Sequence, residues 1–484
     1  MKKVTIFLIG LLMLGFSSCK DFLDVEPSNS GDAATAIKTP ADAQVMINGL
    51  MRSMTSSDYY GRNFMLYADA KGGDFTIFSR GRGLDGLYMF DHAASAGSNS
   101  GFWSTLYSNI LQANNLLENI NKLEASGATG FNSAKGQALT SRALMYFDLV
   151  RLYGKSYDDD KSSFGVPNVT TVLSASAQPL RATVEQNYTQ ILSDLKAAAP
   201  LLLKTKTNGY INYYANLALQ AKVYLYMKDY VNSLKAAEEI INSNNTYSLY
   251  SNAAWVDSWK TQFGSESIFE LGVFSAENDL TTGSLGFYHR RKGHGASTVL
   301  GWFMASDYFL NRLKEDATDV RWGVMSFDES SASHMGALYK YSGSTALAGD
   351  GKATNTAVNI KVIRLSEIYL IAAEAALPTD PGKAATYLNA IRKRAPLLAP
   401  ATATTVTLDM ILDERSKELI GEGNRFFDMI RLNKTITFND ELGGISVPFR
   451  DKSINRTFYK TRLPISQGEI NANPGLKAQQ NQGY

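Results

Sequence analysis

The stretch that decides the fold is 212-NYYANLALQAKVYLYMKDYVNSLKAAEEIIN-242. Its apolar residues recur at the helical spacing rather than in the strict alternation of a strand. Small residues (Ala215, Ala218, Ala221, Ala236, Ala237) are interleaved with large aromatics (Tyr224, Tyr230). Small side chains let two helices approach closely, and an aromatic ring fills the space that remains. Tyr369, Ala372, Ala376, Ala384, Ala385 and Leu388 give a second, looser copy of the pattern. Such stretches predict helices that work in pairs.

Working outward, amphipathic periodicity predicts further helices over 41–54, 103–123, 135–153, 184–202, 362–377, 381–395 and 408–433. The fold class is therefore all-α. The small-and-large interlocking resembles a tetratricopeptide helical hairpin. Residues 243–357 break the pattern. Helical periodicity fades, Gly and Ser rise, and Trp255, Trp259, Trp302 and Trp322 all lie here. A long irregular stretch inside a regular scaffold is usually functional. Short strands are expected at 267–273 and 338–341, with long loops between them. The division expected is a helical scaffold over 41–242 and 358–484, carrying 243–357 as a loop-rich ligand-binding region.

Composition narrows the function. The chain has 484 residues, 48 Lys+Arg against 46 Asp+Glu, and no basic run of five or more. This argues against nucleic acid as a partner, since phosphate binding draws on clustered cations. One cysteine excludes a disulfide framework and a cysteine-based metal site. His92, His289, His294 and His334 leave little material for a metal site or a catalytic triad, and no cofactor is expected. His289 and His294 sit among Arg290, Arg291 and Lys292, whose charges oppose a metal ion, so a solvated basic loop is expected there. Asp158-Asp159-Asp160 lacks the alternation and glycine turn of a calcium loop and is read as a solvated acidic loop. Aromatics reach 11%, and their flat faces with polar handles suit a binding surface as well as a core.

The N-terminus reads Met-Lys-Lys, an apolar run from Val4 to Phe16, then Ser17-Ser18-Cys19. That is the pattern of an export signal, too short to span a bilayer. It resembles the lipobox of a bacterial lipoprotein. Residues 1–18 are then the signal, Cys19 the lipidated residue and 19–40 a tether from the outer membrane.

Three separated segments resemble the SusD/RagB family of outer-membrane nutrient-binding lipoproteins. They are Asp413-Glu414-Arg415 through Arg431, Leu463-Pro464-Ile465 through the closing Asn481-Gln482-Gly483-Tyr484, and Val362 to Ala375. The resemblance implies a binder and not an enzyme. It implies capture of an oligosaccharide, or in some branches a peptide, for a SusC-like TonB-dependent transporter. Within the first segment, Glu414, Glu418 and Glu422 follow one another at helical spacing, with Arg415, Arg425 and Arg431 as partners. This predicts an ion-pair lattice along one helix. Arginines hold carboxylates ionised, which is the wrong state for a general acid.

A sugar ring offers an apolar face to an aromatic plate and a rim of hydroxyls to Asn, Asp or Arg. The plates expected are Trp302 and Tyr288, outside any amphipathic pattern, followed by Trp322 and Trp103. Trp255 and Trp259 precede a packed strand and read as core. The loop expected at 58–85 offers Asp69 and Arg80 for the hydroxyls. Three other readings stand beside this one. A peptide-binding member would show backbone-directed polar groups and apolar pockets. A glycoside hydrolase would need two carboxylates about 5–9.5 Å apart in a groove. A pure interaction scaffold would work through its hairpins alone.

Overall fold

The computed structural model describes residues 37–77, 84–95, 100–243, 246–273, 284–289, 302–327, 334–341, 343 and 358–484. The deciding stretch forms the helices Tyr213–Tyr226 and Tyr230–Ile241, packed against each other. The Asn212 side chain accepts the Ala215 N–H and caps the first helix, and Asp229 caps the second through Asn232. Lys228 between them takes the left-handed conformation at φ 59°. Ala215, Ala218, Ala221, Ala236 and Ala237 are buried, as the close approach requires. The Ser233 hydroxyl donates across the pair to the Ala221 carbonyl at 2.8 Å.

The same device repeats through the chain. Ser100–Ala125 packs on Asn132–Tyr153, and Asn132–Tyr153 on Val184–Ala198. Tyr230–Ile241 packs on Leu365–Ala376, which packs on Pro381–Arg392. Capping boxes start two of the helices, Thr39 with Asp42 and Thr183 with Gln186. The described strands are short and form two-stranded antiparallel pairs. Phe75–Ile77 pairs with Phe303–Ala305, and Ser267–Leu271 with Ile360–Arg364. Ala337–Leu338 pairs with Met325–Ser326.

Three expectations are corrected. Residues 362–364 belong to the Ile360–Arg364 strand, and the helix begins only at Leu365. The expected loop at 58–85 contains the helix Asn63–Lys71 and the strand Phe75–Ile77. That helix is buried on every side, so no polar stripe betrays its period. The single helix expected over 408–433 is two, Leu408–Leu419 and Arg425–Arg431. Gly421 and Gly423 turn the chain between them at φ +78° and +71°. A Cβ on Gly421 would lie 2.6 Å from Leu338 Cδ2, so only glycine fits.

The charges of this segment do form a network, but most partners come from other elements. Arg364 donates to Glu266, Glu418 and Glu422 at 2.7–3.2 Å. Arg321 bonds Asp319 and Glu414, Lys340 bonds Glu422, and Arg394 bonds Glu266. Arg415 and Arg431 hold Asp428, and Arg431 also reaches Glu374. All of these side chains are buried. Surrounding arginines hold the Glu418 and Asp428 carboxyls down to about 2 against the cost of burial.

The C-terminal residues close the molecule. Leu463 N–H donates to the Leu152 carbonyl at 2.9 Å. Asn481 donates to the carbonyls of Tyr153 and Leu463 at 2.9 and 2.7 Å. The buried Arg181 guanidinium spends its donors on the carbonyls of Tyr153, Phe164, Gly165 and Gln479 and on Asn481 Oδ1. Among the described residues no helix is long and apolar enough to cross a membrane.

Candidate functional site

The polar turn between the helices Pro40–Met54 and Asn63–Lys71 places Asp58, Arg62 and Asn63 together, all half-buried. Asn63 Nδ2 donates to Asp58 Oδ1 at 3.1 Å, and Arg62 Nε donates to Asn63 Oδ1 at 2.8 Å. Asn63 thus spends one donor and one acceptor to hold its charged neighbours in place. The Arg62 guanidinium lies over the Tyr288 ring at 5.3 Å from its centroid, with Nη1 3.4 Å from the hydroxyl. Tyr288 comes from the short helix Leu285–His289 and packs edge-on against Phe287 at 5.6 Å. Fixed cationic donors, carboxylate and amide acceptors and an aromatic ring therefore meet at one place. The donors and acceptors are those that sugar hydroxyls engage, with the aromatic ring beneath them as a support.

The structure brings two of the residues nominated from sequence together and sets the others apart. Trp302 donates its backbone N–H to the Tyr288 carbonyl at 2.8 Å, with the rings 6.3 Å apart. Trp302 is 0% exposed, which corrects the expectation of a surface plate. It leads into the strand Phe303–Ala305, which is covered on both faces. Tyr288 shows 8% of its surface, so its ring is a buried support under Arg62 and not an open plate. Trp103 is buried between Tyr107 and Tyr153, each 5.0 Å away, and belongs to the core. Trp322 is half-buried, its indole N–H donating to the Asp316 carbonyl at 3.3 Å inside a turn. Trp255 and Trp259 are buried.

Asp69 is buried as well, and its Oδ1 accepts the Gly423 N–H at 3.2 Å. Burial holds its carboxyl well above the usual range, which suits a structural tie and not a sugar contact. Arg80, Cys19 and His294 lie outside the described residues. His289 is not in a solvated loop. It is buried against Phe75, Phe303 and Tyr341, and burial lowers its imidazole to about 3. The acidic run at 158–160 is solvated as expected, but as a short helix met by cations and not as a loop. Lys228 and Arg456 hold Asp158, Arg456 also reaches Asp159, and Lys155 holds Asp160.

Arg62, Asn63 and Asp58 were not singled out from the sequence. Their one signal is a run of turn-forming and polar residues, Ser56-Ser57-Asp58 and Gly61-Arg62-Asn63, between two helical segments.

These features define a class: a scaffold of helical hairpins closed by short strand pairs, with a polar cluster gathered over an aromatic ring. Residues 298–484 match the family model described as SusD family, and residues 21–225 match one described as starch-binding, associating with outer membrane. A SusD superfamily protein of Bacteroides thetaiotaomicron is 35% identical, with a TM-score of 0.82, covering 90% of this chain and 99% of its own. A putative sugar binding protein of Bacteroides vulgatus is 33% identical, with a TM-score of 0.82 and coverage of 93% and 100%. A SusD-like protein of Formosa agariphila is 27% identical, covering 89% of this chain and 91% of its own. The chain belongs to the SusD family.

Proposed function

We propose that this protein captures oligosaccharides at the outer membrane and passes them to a TonB-dependent transporter of the SusC type, without cleaving them. In this reading residues 1–18 are removed, Cys19 carries the lipid, and 41–484 form a single binding domain. The observation that carries the reading is the cluster of Asp58, Arg62 and Asn63 over Tyr288, a fixed set of hydroxyl-bonding groups around a ring. Family membership supports it, as does the putative sugar binding protein that is 33% identical along nearly its whole length.

The test is calorimetric titration of the purified protein against a panel of neutral oligosaccharides, repeated with Arg62→Ala. At least one glycan should bind saturably. The substitution should weaken it by about tenfold or more, the worth of one or two charge-assisted hydrogen bonds, at roughly 1.5–3 kcal/mol each. Arg62 and its partner Asn63 are both half-buried, so the melting temperature should move little. Unchanged affinity in the variant would remove this cluster from the binding site.

A further inference from the structure

A cavity of about 270 Å³ lies apart from the Tyr288 cluster and shares none of its residues. Five cations line it, Arg151, Lys155, Arg431, Arg456 and Arg462, against the single acid Asp159. Most of that charge is already met. Arg431 is held by Glu374 and Asp428, Arg456 by Asp158 and Asp159, Lys155 by Asp160, and Arg151 by Asp148. Arg462 is different. It is half-buried, and no carboxylate lies within ion-pair distance of its guanidinium among the described residues.

Two further donors at this cavity are unspent. The Tyr226 hydroxyl and Arg151 Nη1 are both buried and have no hydrogen-bond partner. The Arg151 and Arg431 guanidinium carbons stand 5.5 and 5.1 Å from the centre of the Tyr226 ring, so these groups are packed together. A buried donor left unpaired costs about 1–3 kcal/mol, so an acceptor brought to this cluster would be favoured. Ser156, Thr457 and Gln482 add neutral polar groups to the wall.

We infer that this cavity is a binding site for an oxyanion, the carboxylate or sulfate group of a small acidic ligand, with Arg462 as its counter-charge and Tyr226 and Arg151 as supporting donors. Guanidinium groups suit such ligands because their N–H pairs match the spacing of two anionic oxygens. The volume lies just below the range of about 300–1,000 Å³ usual for drug-sized ligands, which fits a single monosaccharide-sized unit. The assignment is independent of the glycan reading of the Tyr288 cluster, since a protein lacking either site would retain the other.

The test is calorimetric titration of the full-length protein with glucuronate, glucose 6-sulfate, inorganic sulfate and, as the neutral control, glucose, each at low and high ionic strength. At least one of the two acidic sugars should bind to a single site per chain, more weakly at high salt, while glucose fails there. Binding of glucuronate alone assigns a carboxylate, and binding of glucose 6-sulfate alone assigns a sulfate ester. Arg462→Gln should weaken the acidic sugar by about tenfold or more. Tyr226→Phe should weaken it by about fivefold while leaving folding stability equal or higher, because it deletes an unpaired buried hydroxyl. If Arg462→Gln melts before the titration, Tyr226→Phe decides alone. The assignment fails if glucose displaces the acidic sugar as well as the acidic sugar itself does, if inorganic sulfate alone binds, if no acidic sugar saturates, or if the folded variants bind as the parent does.

Discussion

Trp302 and Arg62 show how differently two residues near one site are governed. The indole of Trp302 is enclosed, and its backbone is fastened to Tyr288. Trp302→Ala should therefore cost about 3–5 kcal/mol of folding stability by urea denaturation, through lost transfer energy and the cavity left behind. A loss below about 1 kcal/mol would mean that the ring is wet and available as a plate after all. The burial was legible in part. Trp302-Phe303-Met304-Ala305 is a continuous apolar run, the mark of a strand covered on both faces, but it is too short for periodicity to register. Arg62 left a fainter trace, because a half-buried turn residue is fixed by neighbours distant in sequence, and Tyr288 lies 226 positions away.

At the scale of elements, the hairpins were legible because alanines at helical spacing state directly where two helices touch. The ion-pair network was legible only as a composition of charges. Spacing along one helix suggested internal partners, whereas Arg364 of a neighbouring strand ties Glu266, Glu418 and Glu422 together. Partners drawn from several elements leave no periodic signature. The consequence is measurable. Arg364→Met should destabilise the protein by about 3–5 kcal/mol, since three buried carboxylates lose a shared counter-charge. The loss should be larger than that from breaking a surface pair such as Lys161–Glu185, which water and salt screen. Equal losses in urea titrations of the two variants would show that the network is not a buried one in solution.

Over the whole molecule, buried ionisable groups set how stability responds to acid. Glu418 and Asp428 sit at about 2, below the 4.5 and 3.8 of free carboxyls, so their contribution is complete above that range and is lost as pH falls towards 2. His289, at about 3 instead of 6.5, acts in the same direction from a higher starting point, because unfolding lets it take up a proton. Asp69, whose carboxyl is raised by burial, opposes them. His92, Glu414 and Glu422 are lowered too, and together these groups outnumber the raised carboxyls Asp69, Glu266, Asp413 and Glu469, so the urea midpoint should decline as pH falls from 6.5 to 3. An NMR titration in which the His289 imidazole protonates near 6.5 in the folded protein would overturn this reading of its burial. The closing contacts of the chain carry a consequence of another kind, one of timing. Arg181 waits for Asn481, which is made 300 residues later, and Tyr153 waits for the same side chain. Until residue 481 has been made, the Arg181 guanidinium and the end of a central helix lack these partners. The region around Arg181 therefore cannot be completed in the order in which the chain is made. It is finished only when a segment 300 residues away joins it.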